Sequence, residues 1–311
     1  MTMPALFQGR LSVPVIASPL FLISQPDLVL AQCRAGVVGA FPSLNARPSG
    51  VLEEWLQRLT SELTEQDAPF AVNLIVHRTN VRLEEDVALC IKYKVPVIIT
   101  SLGARADIND AVHSYGGIVF HDVIDNGFAR KAVDKGADGL VAVAAGAGGH
   151  AGTLSPFALV QEIREWFDGP LALSGAIGSG AAIAAARALG ADLGYVGSAF
   201  IATEEAAAAP AYKQMIVDSS ADDIIYSNLF TGVHGNYLKP SIVAAGLDPA
   251  ALATSDASKM NFQDLSEDKK AWRDIWGCGQ GIGAVHDVVP AAKLVERLGA
   301  EYRAALARLA A

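Results

Sequence analysis

The segment Gly146-Ala147-Gly148-Gly149-His150-Ala151-Gly152 places one imidazole in a stretch almost without side chains. Such a glycine-dense loop can lie flat against a planar ring while projecting a single group, and that group is His150. An imidazole with a free pKa of about 6.5 can take a proton from a carbon acid at neutral pH, or hydrogen-bond a nitro or carbonyl oxygen. The same residues also fit a plain glycine turn with an exposed histidine, so the loop alone leaves two roles open.

Two further runs of small residues point to phosphate. Ser174-Gly175-Ala176-Ile177-Gly178-Ser179-Gly180 and Gly197-Ser198 let backbone N–H groups approach phosphate oxygens closely, without a lysine nearby. Ordinary tight strand-to-helix turns would use the same residues. Gly175, Gly178 and Gly180 also have the look of a loose dinucleotide fingerprint, but that motif needs an acidic residue closing the next strand. Here the next strand closes on Gly197-Ser198, and the dinucleotide fold is rejected.

The elements that must hold these loops follow a rhythm. Short apolar runs at 14–17, 37–41, 70–76, 96–100, 117–120, 139–143, 171–173 and 193–197 predict eight strands. They are apolar on both faces, which suits a parallel sheet covered by helices. Helical patterns fill the gaps, for example at 25–34, 52–63, 83–93, 126–135, 156–166 and 179–189. Arg34-Ala35-Gly36, Lys135-Gly136-Ala137-Asp138-Gly139 and Leu189-Gly190-Ala191-Asp192 repeat one phrase, with glycine in the left-handed position that ends a helix. The repetition predicts an α/β fold, a (β/α)8 TIM barrel. His150 then follows the sixth strand, and the two phosphate-type runs follow the seventh and eighth, where such barrels bind phosphate. Residues 1–203 and 276–311 are expected to form the barrel, and 204–275 a lid-like insertion, irregular and partly helical, that carries Thr231-Gly232-Val233-His234-Gly235 and caps the mouth. An amphipathic pattern at 290–309 predicts a final helix outside the barrel.

Composition narrows the partners. A net charge of -9 with no basic cluster argues against nucleic acid. Cys33, Cys90 and Cys278 lie far apart without metal or redox spacing, which fits a reducing, cytoplasmic setting. No apolar run is long enough to span a bilayer, no leader pattern opens the chain, and no His/Asp/Glu group has metal-ligand spacing, so neither membrane nor metal is expected. His121 is expected to end the fifth strand, facing the site or bonded to a loop carbonyl; His77 and His234 are weaker candidates for substrate contact, and His113 and His286 are helix-end or solvent residues. Cys278 reads as a small buried filler, Trp272 and Trp276 as packing between lid and barrel, and Glu84-Glu85-Asp86 and Asp222-Asp223 as solvated faces or helix N-termini.

Ala17-Ser18-Pro19-Leu20, Phe70-Ala71-Val72-Asn73-Leu74, Gly148-Gly149-His150-Ala151-Gly152, the two phosphate-type loops and Trp276-Gly277-Cys278-Gly279-Gln280-Gly281 together carry a family resemblance. The chain resembles the nitronate monooxygenases (formerly 2-nitropropane dioxygenases) and their relatives, FMN-dependent enoyl-ACP reductase II and an NADH:quinone reductase. The resemblance implies FMN, with its ring near Ser18, Pro19, Leu20, Asn73, Gly148 and Gly149. It places the phosphate at Ala176, Gly197 and Ser198, with Ser174, Gly175 and Gln280 also at the cofactor, and makes His150 the active-site histidine. It implies oxidation of alkyl nitronates by dioxygen, the histidine deprotonating a neutral nitroalkane. The alternatives are an NAD(P)H-dependent FMN reductase of enones or quinones and a non-redox barrel that binds a phosphorylated metabolite. Three positions depart from the family: Ala147 follows Gly146 where Glu-Ala-Gly is common, Val143 replaces a polar residue, and Asp122 follows His121 where the quinone reductase has a basic residue.

Overall fold

The computed structural model describes residues 3–48, 50–230, 234–252 and 275–311, together with the backbone but not the side chain of His150. Strands and helices alternate: β1 (Val15–Ala17), α1 (Pro26–Arg34), β2 (Gly39–Pro42), α2 (Val51–Glu62), β3 (Phe70–Ile75), α3 (Leu83–Lys92), β4 (Val97–Ser101), α4 (Ala106–His113), β5 (Ile118–Val123), α5 (Asn126–Asp134) and β6 (Gly139–Val143). A two-residue strand, β7 (Gly149–His150), follows, and then α6 (Pro156–Arg164), β8 (Leu171–Ser174), α7 (Gly180–Leu189), β9 (Leu193–Val196) and α8 (Ser198–Ile201). Beyond these lie α9 (Pro210–Asp218), β10 (Ile224–Ser227), β11 (Gly235–Leu238), α10 (Lys239–Ala244) and a terminal helix, α11 (Ala291–Ala310).

The eight long-range strands pair in parallel in the order β1-β9-β8-β6-β5-β4-β3-β2. The ring closes through a parallel bridge between Ile16 and Val38, with Ala17 N donating to Val38 O at 2.8 Å and Val38 N to Val15 O at 3.1 Å. This is the expected (β/α)8 barrel. Successive side chains point to opposite faces, so each strand feeds two cores. Ile16, Val38, Ala40, Ala71, Val97, Ile99, Phe120, Val141, Ala172 and Leu193 fill the interior. Their neighbours Ala17, Leu140, Ala142, Leu173 and Val196 pack outward with helix residues such as Leu159 and Ile183. Phe7, delivered by the N-terminal turn, stacks on Phe120 with ring centroids 6.3 Å apart and plugs the interior.

Gly36, Gly136 and Gly190 take positive φ angles of 87°, 92° and 116°, as the repeated phrase requires. Two expectations need correction. β5 runs on to Val123, so His121 lies inside the strand rather than at its end. The insertion is more regular where it meets the barrel than its sequence suggests: β10 and β11 form an antiparallel hairpin, and β11 pairs in turn with β7. Trp272 and 231–233 lie outside the described residues. Among those described, no helix is long and apolar enough to cross a membrane.

α11 lies across α7 and α1. Contact with α7 is close because Gly180 has no side chain: a Cβ there would overlap the backbone of Leu298 and Tyr302 and sit 2.6 Å from the Glu301 Cβ. The Glu301 carboxylate then accepts from Gly180 N at 2.7 Å and from Arg297 at 2.8 Å. Gly180 is thus explained by helix packing rather than by a dinucleotide. Gly180→Ala is expected to cost about 2–3 kcal/mol, since relief requires parting two helices; an unchanged midpoint in chemical denaturation would count against this account.

Candidate active site at the mouth of the barrel

The C-terminal ends of the strands converge on one carbonyl. Gly146 O accepts from Ala176 N at 3.2 Å and from Gln280 N at 2.9 Å, joining the loop after β6 to the loop after β8 and to the segment before α11. Gly146 has φ 85°, a left-handed conformation that favours glycine, and a Cβ there would stand 3.0 Å from Gln280 Oε1 and 3.3 Å from Ala176 Cβ. Gly148 packs beside Gly279 and Ser198, and the Ser198 hydroxyl accepts from Gly279 N at 2.8 Å. Gly197 lies against Ser18 and Leu20, where a Cβ would stand 3.2 Å from Ser18 Cβ and 3.4 Å from Leu20 Cδ2.

The structure therefore brings Ser18, Leu20, Gly148, Gly149, Ser174, Gly175, Ala176, Gly197, Ser198 and Gln280 to one end of the barrel, with Pro19 beside them. All are at least partly exposed, whereas Asn73 is buried beneath. A Cβ on Gly149 would meet nothing, so its flank is open. Ala176 takes φ 53° without being glycine, a conformation that costs roughly 1 kcal/mol and is retained where its N–H reaches Gly146 O. That N–H is accordingly engaged within the protein. Gly178 meets the Gly281 backbone, which leaves no room for a Cβ.

The histidine loop is pinned from a distance. Gly149 and His150 pair with Asn236 and Gly235 of β11. Asn236 Nδ2 donates to Ala147 O at 2.6 Å, Cys278 N donates to Asn236 O at 3.0 Å, and Tyr226 OH donates to Ala151 O at 2.9 Å. Ala151 N reaches His234 O at 3.3 Å, and the His234 ring stacks on Tyr226 with centroids 5.0 Å apart. Asn236 and Tyr226 escaped the sequence reading, for neither residue type nor local spacing relates them to a loop so far away along the chain.

Below these loops the barrel interior turns polar. Asn73 Nδ2 donates to Ile99 O at 3.0 Å and to Ser101 Oγ at 2.7 Å, and Ser101 Oγ donates to Asp122 Oδ2 at 2.6 Å. Asp122 keeps a partly exposed surface, yet its Oδ1 is sealed and unpaired, as is the buried Tyr195 hydroxyl. Burial pushes the Asp122 carboxyl up to about 6, opposed only by the Ser101 hydrogen bond. Tyr195 is driven well above the ordinary phenol range by burial and then by the Asp122 charge, while the nearby Ser18 hydroxyl works the other way.

His121 does not join this cluster. It shares the outward face of β5 with Val119 and Val123, and its Nδ1 lies 2.6 Å from Thr100 Oγ1 rather than against a loop carbonyl. Burial pushes its pKa down to about 4, so the ring is neutral at physiological pH. Glu84, Glu85 and Asp86 lie in the first turn of α3, the helix N-terminus among the two expectations, though Asp86 is buried there and paired with Arg82 at 3.0 Å. His77 bonds to Thr79 at 2.9 Å, and His113 closes α4 beside Asp138 at 2.8 Å. Cys278 is buried, its thiol pushed up to about 12 by desolvation, which suits a filler. Trp276 stacks on Tyr212 with centroids 4.7 Å apart. A cavity of about 290 Å³ lined by Ser12, Ala35, Val295 and Arg303 lies away from these loops, against α11.

A closed (β/α)8 barrel with glycine-rich loops gathered at the C-terminal ends of its strands defines the class of small-molecule enzyme barrels. The chain matches the nitronate monooxygenase family over residues 7–301 and belongs to that family, a group of flavin-dependent oxidoreductases. It is 24% identical to a nitronate monooxygenase of Paraburkholderia phytofirmans, over 95% of this chain and 94% of that protein. Among solved structures it is similar to FabK from Thermotoga maritima (TM-score 0.80, 25% identity, 96% of this chain and 95% of that one). It also shares its fold with a nitroalkane oxidase from Streptomyces ansochromogenes (TM-score 0.84, 22% identity, 98% of this chain and 100% of that one).

The Asp122 carboxyl has a folded-state pKa above its unfolded one, so its favourable contribution is full below about pH 4 and is lost as pH rises through about 6. Asp122→Asn, which cannot ionise, should gain on the wild type across that window, by on the order of 2–3 kcal/mol at pH 7. Urea denaturation at a series of pH values tests this; a stability difference that does not vary with pH would refute it.

Proposed function

We propose that the protein binds FMN at the barrel mouth and oxidises alkyl nitronates with dioxygen. The observation that carries this reading is the stapling of Gly146 O to Ala176 N and Gln280 N, which sets a wall almost free of side chains beside the His150 backbone. The fit to a planar, polar ring rests on Gly148 and Gly149, on the open flank of Gly149, and on the unpaired Asp122 Oδ1 and Tyr195 hydroxyl below.

Ser18, Pro19, Leu20, Asn73, Gly148 and Gly149 would hold the ring, and Ser174, Gly175, Ala176, Gly197 and Ser198 the phosphate end, with Gln280 at the rim. When bound, the flavin supplies the electron acceptor. The chain's own part is to position and to move a proton: His150 takes the proton from the carbon beside the nitro group of a neutral nitroalkane, and the glycine wall lets the substrate lie flat. β10 and β11, which join β7 in one sheet, would form the described part of a lid and exclude water from this end. Three buried cysteines kept as free thiols fit a reducing, cytoplasmic setting.

A colourless protein without FMN affinity would favour a phosphometabolite-binding barrel. Rapid anaerobic bleaching by NADH or NADPH, with no reaction of a nitronate, would favour a reductase of enones or quinones. His150→Ala should keep FMN, because the loop backbone is unchanged, while losing about 10²–10⁴-fold in turnover of neutral nitroalkanes and far less with preformed nitronates. Equal losses on both forms, measured by oxygen uptake, would remove His150 as the general base.

A further inference from the structure

We infer that Asp122 sets the charge state of the pocket floor: protonated, it donates a hydrogen bond to an acceptor on the bound ring, and ionised, it repels electron-rich ligands. The inference rests on the flavin reading above. It starts from the inward face of β5, where Asp122 follows Phe120 on the interior side.

One oxygen of the carboxyl, Oδ2, is occupied by the Ser101 hydroxyl at 2.6 Å, and Ser101 is in turn held by Asn73 at 2.7 Å. The other, Oδ1, is buried without a partner. A buried polar atom left unpaired costs about 1–3 kcal/mol, more when charged, and calls for a ligand atom to meet it. β4 offers Ser101, β3 offers Asn73, and β6 offers the apolar Val141 and Val143. β9 sends Tyr195, whose phenol stays protonated at neutral pH, with Ser18 near it. Other titratable residues at this end include His77, His150, Tyr226, His234 and the buried Cys278. Among the described residues no cation acts on Asp122, and burial raises its pKa, toward about 6.

A protonated Asp122 and the Tyr195 phenol are both donors, and the ligand they suit presents acceptors on its edge. The carbonyl oxygens and ring nitrogens of a flavin do so. Once Asp122 ionises, its negative charge faces the same acceptors, and binding weakens. Asp122 is thus a positioning residue of the cofactor, outside the proton transfer assigned to His150.

The test is FMN affinity, read by fluorescence titration between about pH 5 and pH 7.5, in the wild type, Asp122→Asn and Asp122→Glu. The wild-type dissociation constant should rise on the order of tenfold over this range, as expected for ionisation of one group. Asp122→Asn should hold within about twofold, with Asp122→Glu retaining the rise at a shifted midpoint. Parallel profiles in the wild type and Asp122→Asn would overturn the inference and assign the dependence to another group, the FMN phosphate with its second ionisation at about pH 6 among them. Infrared titration of the same samples separates the two readings. If no protein binds FMN, the flavin reading falls with it. A carboxylic-acid carbonyl band lost in this range and absent from Asp122→Asn would still support the protonated Asp122, and a wild type without that band would overturn it.

Discussion

The bifurcated acceptance of two N–H groups by Gly146 O is the contact on which the mouth of the barrel depends. Neither donor is close in sequence: Ala176 comes from the loop after β8 and Gln280 from the segment that returns after the insertion. Each bond is worth only about 0.5–1.5 kcal/mol, but both close long loops, so their value is geometric more than energetic. They require Gly146 at φ 85° and force Ala176 to φ 53°. A side chain at Gly146 would crowd Gln280 and Ala176, and one at Gly148 would crowd Gly279 and Ser198. The small residues are the condition under which three separated segments can meet.

The barrel interior is divided by depth. Its lower part is filled by Phe7, Phe120, Val97, Ile99 and their neighbours. Its upper part holds Asn73, Ser101, Asp122 and the Tyr195 hydroxyl. A carboxyl with no cation beside it opposes folding when charged, and an apolar residue would serve stability better. The cost falls at the strand ends, where barrel enzymes keep their chemistry.

Most of the barrel was legible because most strand residues are apolar toward both cores, and runs such as 139–143 carry that signal undiluted. The continuation of β5 was not, because His121 and Asp122 are both polar and look like the start of a loop. They are polar for opposite reasons. His121 turns toward the helices and bonds to Thr100, and Asp122 turns inward to Ser101. Alternation cannot be read from two adjacent polar residues, since it is carried by partners on neighbouring strands. Similarly, Gly178 and Gly180 have the spacing of a loose dinucleotide fingerprint, whereas Gly281 and α11 account for both by close approach. The residue type reported the need for space and left open what occupies it.

The insertion illustrates a further limit and explains it. A loop composed of Gly146, Gly148, Gly149 and Gly152 has high conformational entropy and cannot by itself hold a histidine in one place. The restraint comes from β11, which pairs with Gly149 and His150, from Asn236, which reaches Ala147 O at 2.6 Å, and from Tyr226, which reaches Ala151 O at 2.9 Å. These pins come from well beyond the last barrel strand, so the loop's geometry depends on residues far away along the chain. A flat, side-chain-free surface and a fixed backbone are conflicting demands on one short segment. The fold meets them by making the loop itself bare and placing the ordering groups on another part of the chain.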